Sequence, residues 1–130
     1  FVRETYPDIQ IVTTIDSFED PQITYEKTAQ LLRDYQDLQG LYITCGGVSQ
    51  VGRALEESGR AKDIRVISYE DYPEVVEFVR KDVIDCTLAG EIQKQGEIPV
   101  QLIMDHLVFG KQPENDQVFT EIKVIVKESL

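Results

Sequence analysis

Residues 40–59 read GLYITCGGVSQVGRALEESG, and the rest of the chain is arranged around them. Leu41-Tyr42-Ile43 is a short apolar run, the pattern of a strand buried on both faces. Val48, Val51, Leu55 and Ser58 then recur at helical spacing, and Gly59 stands where a left-handed C-terminal cap belongs. Between strand and helix, Thr44-Cys45-Gly46-Gly47 must turn the chain within four small residues. In open α/β sheets such turns bind ligands, because the backbone N–H groups at the helix start face a crevice.

Upstream, FVRETYPD reads as the tail of a helix stopped by Pro7, and Ile9–Ile15 (IQIVTTI) as a β-branched strand. Asp16–Asp20 is a polar loop. Asp20-Pro21 pairs an N-cap carboxylate with proline at the first helical position, starting a helix to about Tyr35 with Tyr25, Thr28, Ala29, Leu31 and Leu32 inward. Downstream, Ile64–Tyr69 is a third strand, and Pro73 opens a helix carrying Val75, Val76, Phe78 and Val79. Ile84–Leu88 is a fourth strand, broken by Ala89-Gly90. Residues 91–109 are helical again, with Pro99 expected at the first turn of the second half. After a turn over Gly110–Asp116, Val118–Val126 reads as the last strand. Alternating strands and helices predict an α/β fold: an open parallel sheet with helices on both faces.

One hundred and thirty residues, 42% hydrophobic and 28% charged, suit one globular domain. No apolar run approaches the roughly 20 residues that would span a bilayer, so no membrane partner is expected. Asp and Glu outnumber Lys and Arg by 24 to 13 for a net charge of −11, and no basic cluster appears. A duplex-binding surface needs clustered cations to displace counterions, so this chain is expected to bind no nucleic acid. Cys45 and Cys86 are too few and too far apart for a disulfide framework or a metal pair, and both are expected free and buried.

Four segments should end strands on one rim of a parallel sheet: Asp16–Asp20, Thr44–Gly47, Tyr69–Asp71 and Leu88–Glu91. They offer Asp16, Ser17, Phe18, Thr44, Cys45, Gly46, Glu70, Asp71, Gly90 and Glu91. Carboxylates, a hydroxyl and an aromatic face around a backbone-lined notch suit a polyol, since a sugar combines many hydroxyls with an apolar ring face. Helix capping places Asp, Ser and Thr at the same turns, so each residue taken singly also has that plainer explanation.

Enzyme readings find little support. Cys45 at a strand–turn–helix junction could be a nucleophile, but the next arginine, Arg53, lies past the first helical turn. Gly46-Gly47 lacks both the dinucleotide spacing and the lysine of a nucleoside triphosphate loop. The single histidine, His106, falls within a helix far from these turns, and neither a metal set nor a Ser-His-Asp set can be assembled. No cofactor is expected.

The order YPDIQIV, TAQLLRDY, GLYITCGG, GRALEESG, DIRVISYED, CTLAGEIQKQG, LIMDHLVFGKQP and TEIKVIVKESL resembles the effector-binding domain of LacI-type transcriptional regulators, related to type I periplasmic sugar-binding proteins. ALEESG followed by IRVISYED, and the closing VIVKES, are its more specific pieces. The resemblance covers nearly the whole chain but only the second lobe of that domain. It implies that residues 91–110 form a crossover helix which normally packs on the first lobe. It also implies a small polar effector, a sugar or similar, held between two lobes. Glu70 would stand where a ligand-binding Asp is common, and Phe18 where an aromatic stacks on the sugar. Thr44 and Cys45 would replace an Asn-Asp pair, and Gly90 a frequent Gln.

The expected function is therefore effector binding without catalysis, signalling to a separate DNA-binding headpiece in a cytoplasmic homodimer. The expected ligand-binding residues are Phe18, Thr44, Cys45, Gly46, Glu70, Asp71, Gly90 and Glu91. The alternatives are the carbohydrate-binding component of a transporter and, more remotely, an α/β enzyme using Cys45.

Overall fold

A short helix α1 (Val2–Thr5) ends before Pro7, and α2 (Pro21–Asp34), β1 (Gly40–Tyr42), α3 (Val48–Ser58), β2 (Arg65–Tyr69), α4 (Pro73–Arg80) and β3 (Cys86–Gly90) follow in a computed structural model. The chain closes with the long helix α5 (Ile92–Phe109), strand β4 (Ile122–Val126) and a 3-10 turn over Lys127–Ser129. The structure describes every residue except Cys45.

The helix starts fall where the sequence signals place them. The Asp20 carboxylate accepts a hydrogen bond from Ile23 N at 2.8 Å, capping α2, and Pro21 and Pro73 open their helices. Gly59 ends α3 with φ 72°, in the left-handed region expected of a C-cap. The end of α2 is closed from outside. The Arg60 guanidinium donates to the carbonyls of Leu32, Tyr35 and Gln36 at 2.7–3.0 Å, bringing a cation to the negative end of the helix.

The four strands lie in the order β1-β2-β3-β4, so the sheet is mixed and not wholly parallel as expected. β1, β2 and β3 are parallel, whereas β4 runs antiparallel to β3, with Gly90 opposite Ile122 and Cys86 opposite Val126. The reason is where the chain returns. Helix α5 leaves the sheet at Gly90, and the chain comes back to the same end at Ile122, so its last strand must run the other way.

Helices cover one face of the sheet, not both. Strand order advances without reversal from β1 to β3, and two right-handed crossovers in one direction put α3 and α4 on the same side. Helix α2 joins that layer by packing on α3. Accordingly Val66 and Ser68 of β2 are fully buried, while Arg65 and Ile67, pointing the other way, are exposed. Strand β1 is likewise not buried on both faces, for Tyr42 is 63% exposed. The core between sheet and helices contains Leu32, Val48, Val51, Leu55, Ile64, Val66, Val75, Val79 and Ile84. Close helix packing depends on Gly52, where a Cβ would lie 2.7 Å from the Phe78 ring.

Three other expectations are corrected. Ile9–Ile15 forms no ladder: among the described residues β1 pairs only with β2, and strand propensity alone does not make a strand where no neighbouring strand supplies a ladder. β3 begins two residues later than expected and includes Ala89-Gly90, while Val83 and Ile84 sink into the core ahead of it. Pro99 lies inside one continuous helix α5 instead of at a break. That helix has no buried residue among its eighteen, so the carbonyl that Pro99 leaves without an N–H partner can face water.

Candidate functional site

The carboxyl ends of the parallel strands and the Asp16–Asp20 turn form one rim, where the sequence places its candidate residues. The turn is the most tightly specified part. Asp16 Oδ1 accepts from Phe18 N and Ser17 O accepts from Asp20 N, each at 3.0 Å. Phe18 and Glu19 both take left-handed backbone, with φ 53° and 57°, and Ser17 is buried beneath them. The Phe18 ring is 76% exposed. Asp16 and Asp20 spend their carboxylates on the turn and on α2, so the plainer capping explanation holds for both.

Beside this turn, Thr44 is exposed and Gly46 half-buried at the end of β1. Cys45 lies outside the described residues. Gly47 caps α3 with φ 94°, and a Cβ there would meet Thr24 at 2.9 Å, so α2 and the turn approach as only glycine permits.

Glu70 ends β2 with a φ of 102°, rare for any residue but glycine. Its main chain is fixed twice: its N–H donates to Leu88 O at 2.8 Å, and its carbonyl accepts from the buried Thr87 hydroxyl. Partial burial pushes its carboxyl pKa up, and the negative charge of Glu19 pushes it further. Asp71 next to it is exposed.

Glu19 is the residue the sequence reading missed. The space over Gly46 is bounded by the Glu19 side chain, whose Cγ and Cδ lie 3.8 Å from where a Cβ would stand. Glu19 thus reaches the notch between the Phe18 turn and β1 and acts electrostatically on Glu70. Only its position between Phe18 and Asp20 could have signalled this.

At β3, Gly90 is half-buried, and the room a side chain would need is taken by the Gln95 carboxamide, 2.9 Å away, with the Tyr69 hydroxyl at 3.3 Å. Both groups therefore belong to the rim, although neither was singled out. Glu91 is engaged within the protein. It bridges Lys94 Nζ at 2.6 Å and accepts from Glu121 N at 3.2 Å, and these contacts, the Lys94 one foremost, hold its pKa down. With the Gln95–Thr120 bond at 3.1 Å, it ties the start of α5 to the approach to β4.

The remaining chemistry is sparse. Among the described residues no group of three or more His, Cys, Asp and Glu could hold a metal ion. His106 lies on α5, its Nδ1 3.1 Å from Lys111 O. Cys86 is half-buried instead of buried, and burial, then Asp85, raise its thiol pKa. A charged groove at the opposite end of the sheet is already compensated by the Arg65–Asp85 and Lys127–Asp82 pairs. Among the described residues no helix is long and apolar enough to cross a membrane.

The sequence matches the Periplasmic binding protein domain over residues 2–112, and the chain belongs to that family. Solved structures agree in fold. GanP, a glucose-galactose binding protein from Geobacillus stearothermophilus, is 25% identical with a TM-score of 0.87, over 98% of this chain and 45% of that one. The sugar-binding protein of a sugar ABC transporter from Bacillus halodurans is 26% identical with a TM-score of 0.84, over 98% and 47%. A carbohydrate transporter solute binding protein from Agrobacterium radiobacter, in complex with D-arabinose, is 16% identical with a TM-score of 0.87, over 98% and 43%. The chain spans slightly less than half the length of these structures. A comparison with curated proteins finds no match. The type I periplasmic-binding-protein-like fold is thus the fold of this chain.

Proposed function

We propose that this chain supplies one lobe of a sugar-binding protein, the carbohydrate-binding component of a transporter, and that it performs no catalysis. One observation carries the reading: an exposed aromatic face and carboxylates that can accept hydroxyl protons converge on one rim. In it Phe18 covers an apolar sugar face, Thr44 and Glu70 hydrogen-bond hydroxyls, and Glu19 adds a second acceptor. Gly46 leaves room beside the Glu19 side chain, Gly90 admits the Gln95 carboxamide to the rim, Asp71 borders it, and Glu91 holds the rim together from behind. A sugar enclosed between this rim and an opposing lobe would lose its water on both sides. The transporter reading carries with it a place outside the cytoplasm.

The LacI-type reading rests on ALEESG, IRVISYED and the closing VIVKES. It would place the same lobe in a cytoplasmic regulator, with ligand-driven closure shifting a population of DNA-binding states.

Calorimetry of this lobe joined to its opposing lobe, with D-galactose, D-glucose and D-arabinose, tests the proposal. At least one sugar is expected to bind, and Glu70→Ala should weaken that binding by about 1.5–3 kcal/mol, as for loss of a charge-assisted hydrogen bond. Unchanged affinity removes Glu70 from the site, and no heat with any of the three overturns the sugar reading.

A further inference from the structure

We propose that Lys27 is a positioning residue for Phe18: from α2 it holds the ring in place before any ligand arrives, closing one of its faces and leaving the other for a sugar. The part of this concerning sugar rests on the function proposed above, whereas the positioning of the ring does not.

The geometry leads there in three steps. Phe18 and Glu19 are two successive non-glycine residues with φ 53° and 57°, a conformation that persists only where the surroundings impose it. The Asp16 and Ser17 hydrogen bonds fix the backbone of the turn, but they do not fix a ring that is 76% exposed. A ring so exposed has little packing to select its rotamer, and a stacking platform needs a defined one. Lys27 supplies the missing constraint. Its ammonium lies over the Phe18 ring, 5.8 Å from the centroid, and donates to the carbonyl of Asp16, the residue that begins the same turn. One cation therefore grips both the main chain and the side chain of the platform. Its own helix is anchored, since α2 is capped by Asp20 and packed on α3.

A cation over one face of an aromatic ring leaves the opposite face for a second partner. The C–H groups on the apolar side of a pyranose suit such a face, and the corresponding acyclic alditol presents no such flat side. Lys27 thereby becomes a determinant of selectivity for cyclic sugars although it need not touch them.

The test uses the full chain as wild type, Lys27→Met, Lys27→Arg, Phe18→Leu and the Lys27→Met/Phe18→Leu double variant. In the ligand-free protein, nuclear magnetic resonance should show the Lys27 ε-methylene protons shifted upfield by the ring current, and the shift should vanish in Phe18→Leu. An unshifted signal in the wild type overturns the proposal whatever the protein binds. By calorimetry with D-galactose, on the same variants joined to the opposing lobe, Lys27→Met should lose about three- to fivefold in affinity, Lys27→Arg should recover most of it, and the preference for D-galactose over galactitol should fall. In the Phe18→Leu background, Lys27→Met should cost nothing further. Unchanged affinity in Lys27→Met, or an equal loss with and without Phe18, overturns it. If no sugar binds the wild type while the ring-current shift is present, the positioning of Phe18 stands and the sugar reading alone falls.

Discussion

Helices α3, of eleven residues, and α5, of eighteen, meet opposite fates. Five of the eleven residues of α3 are buried, Leu55 completely, in the layer between α2, α4 and the sheet. None of the eighteen residues of α5 is buried, and Leu107 is 73% exposed. The contrast shows that apolar content does not decide burial; connection does. Helix α3 joins two adjacent parallel strands and is laid onto them by that crossover. Helix α5 joins two neighbouring strands through an excursion that leaves and returns at one end, so nothing in its connection presses it onto the sheet.

The contrast is most easily broken by truncating one side chain in each helix. Leu55→Ala should cost about 2–5 kcal/mol in urea unfolding, the range for a fully buried leucine. Leu107→Ala, measured at a concentration where the protein is monomeric, should stay within about 0.5 kcal/mol of the wild type. Equal losses would mean that α5 is packed after all. A pair of glycines sharpens the same point with a smaller effect of opposite sign. Gly52→Ala puts a methyl group against the Phe78 ring and should cost about 1–3 kcal/mol. Gly96→Ala, in α5 with no atom within 4 Å of the new Cβ, should stabilise by up to about 1 kcal/mol through helix propensity. A destabilising Gly96→Ala would count against an exposed α5.

The smallest effects concern pH at the ends of β2 and β3. Glu70 has its pKa raised by burial and Glu19, so the folded state binds its proton more tightly than the unfolded state. Its contribution is present below the ordinary carboxylate pKa and is lost as pH rises through the higher folded value. Glu91 is the reverse: with its pKa lowered by Lys94 and Glu121, it stabilises above the ordinary value and loses this as pH falls through the folded one. Glu70→Gln should therefore raise the melting temperature at neutral pH relative to the wild type, with the gain gone near pH 3. Glu91→Gln should lower it at neutral pH and converge with the wild type in acid. Parallel melting curves for the two variants across pH would contradict this pairing.

The segment from Pro21 to Tyr69 was legible because each of its elements follows the last in space as in sequence. Pro21, Gly59 and Pro73 mark helix ends by local backbone chemistry, and the burial of Val51 and Leu55 follows from spacing alone. The direction of β4 was not legible, since it depends on where a 31-residue excursion returns, which no local pattern of residues 91–121 records. At the rim, Glu70 could be placed from a strand end, whereas Phe18 was expected after a strand, Ile9–Ile15, that does not form. Glu19 could not be placed, because its role follows from a left-handed φ that glutamate rarely adopts, and a residue's identity does not reveal an unusual backbone. Gln95 escaped for a related reason: it fills space only because Gly90 leaves it empty.

The unpaired run Ile9–Ile15 has a consequence for colloidal behaviour. IQIVTTI contains no charge and no proline, and four of its seven residues are isoleucine or valine, the composition of segments that stack between copies as cross-β. It lies in a chain whose β1 edge is also open. Two features oppose association. Asp8 and Asp16 bracket the run like gatekeepers, and a net charge of −11 keeps copies apart. The net charge vanishes at the isoelectric point near 4.4, and added salt screens it above that pH. Self-association through this run is therefore expected to be least in dilute buffer well above that pH.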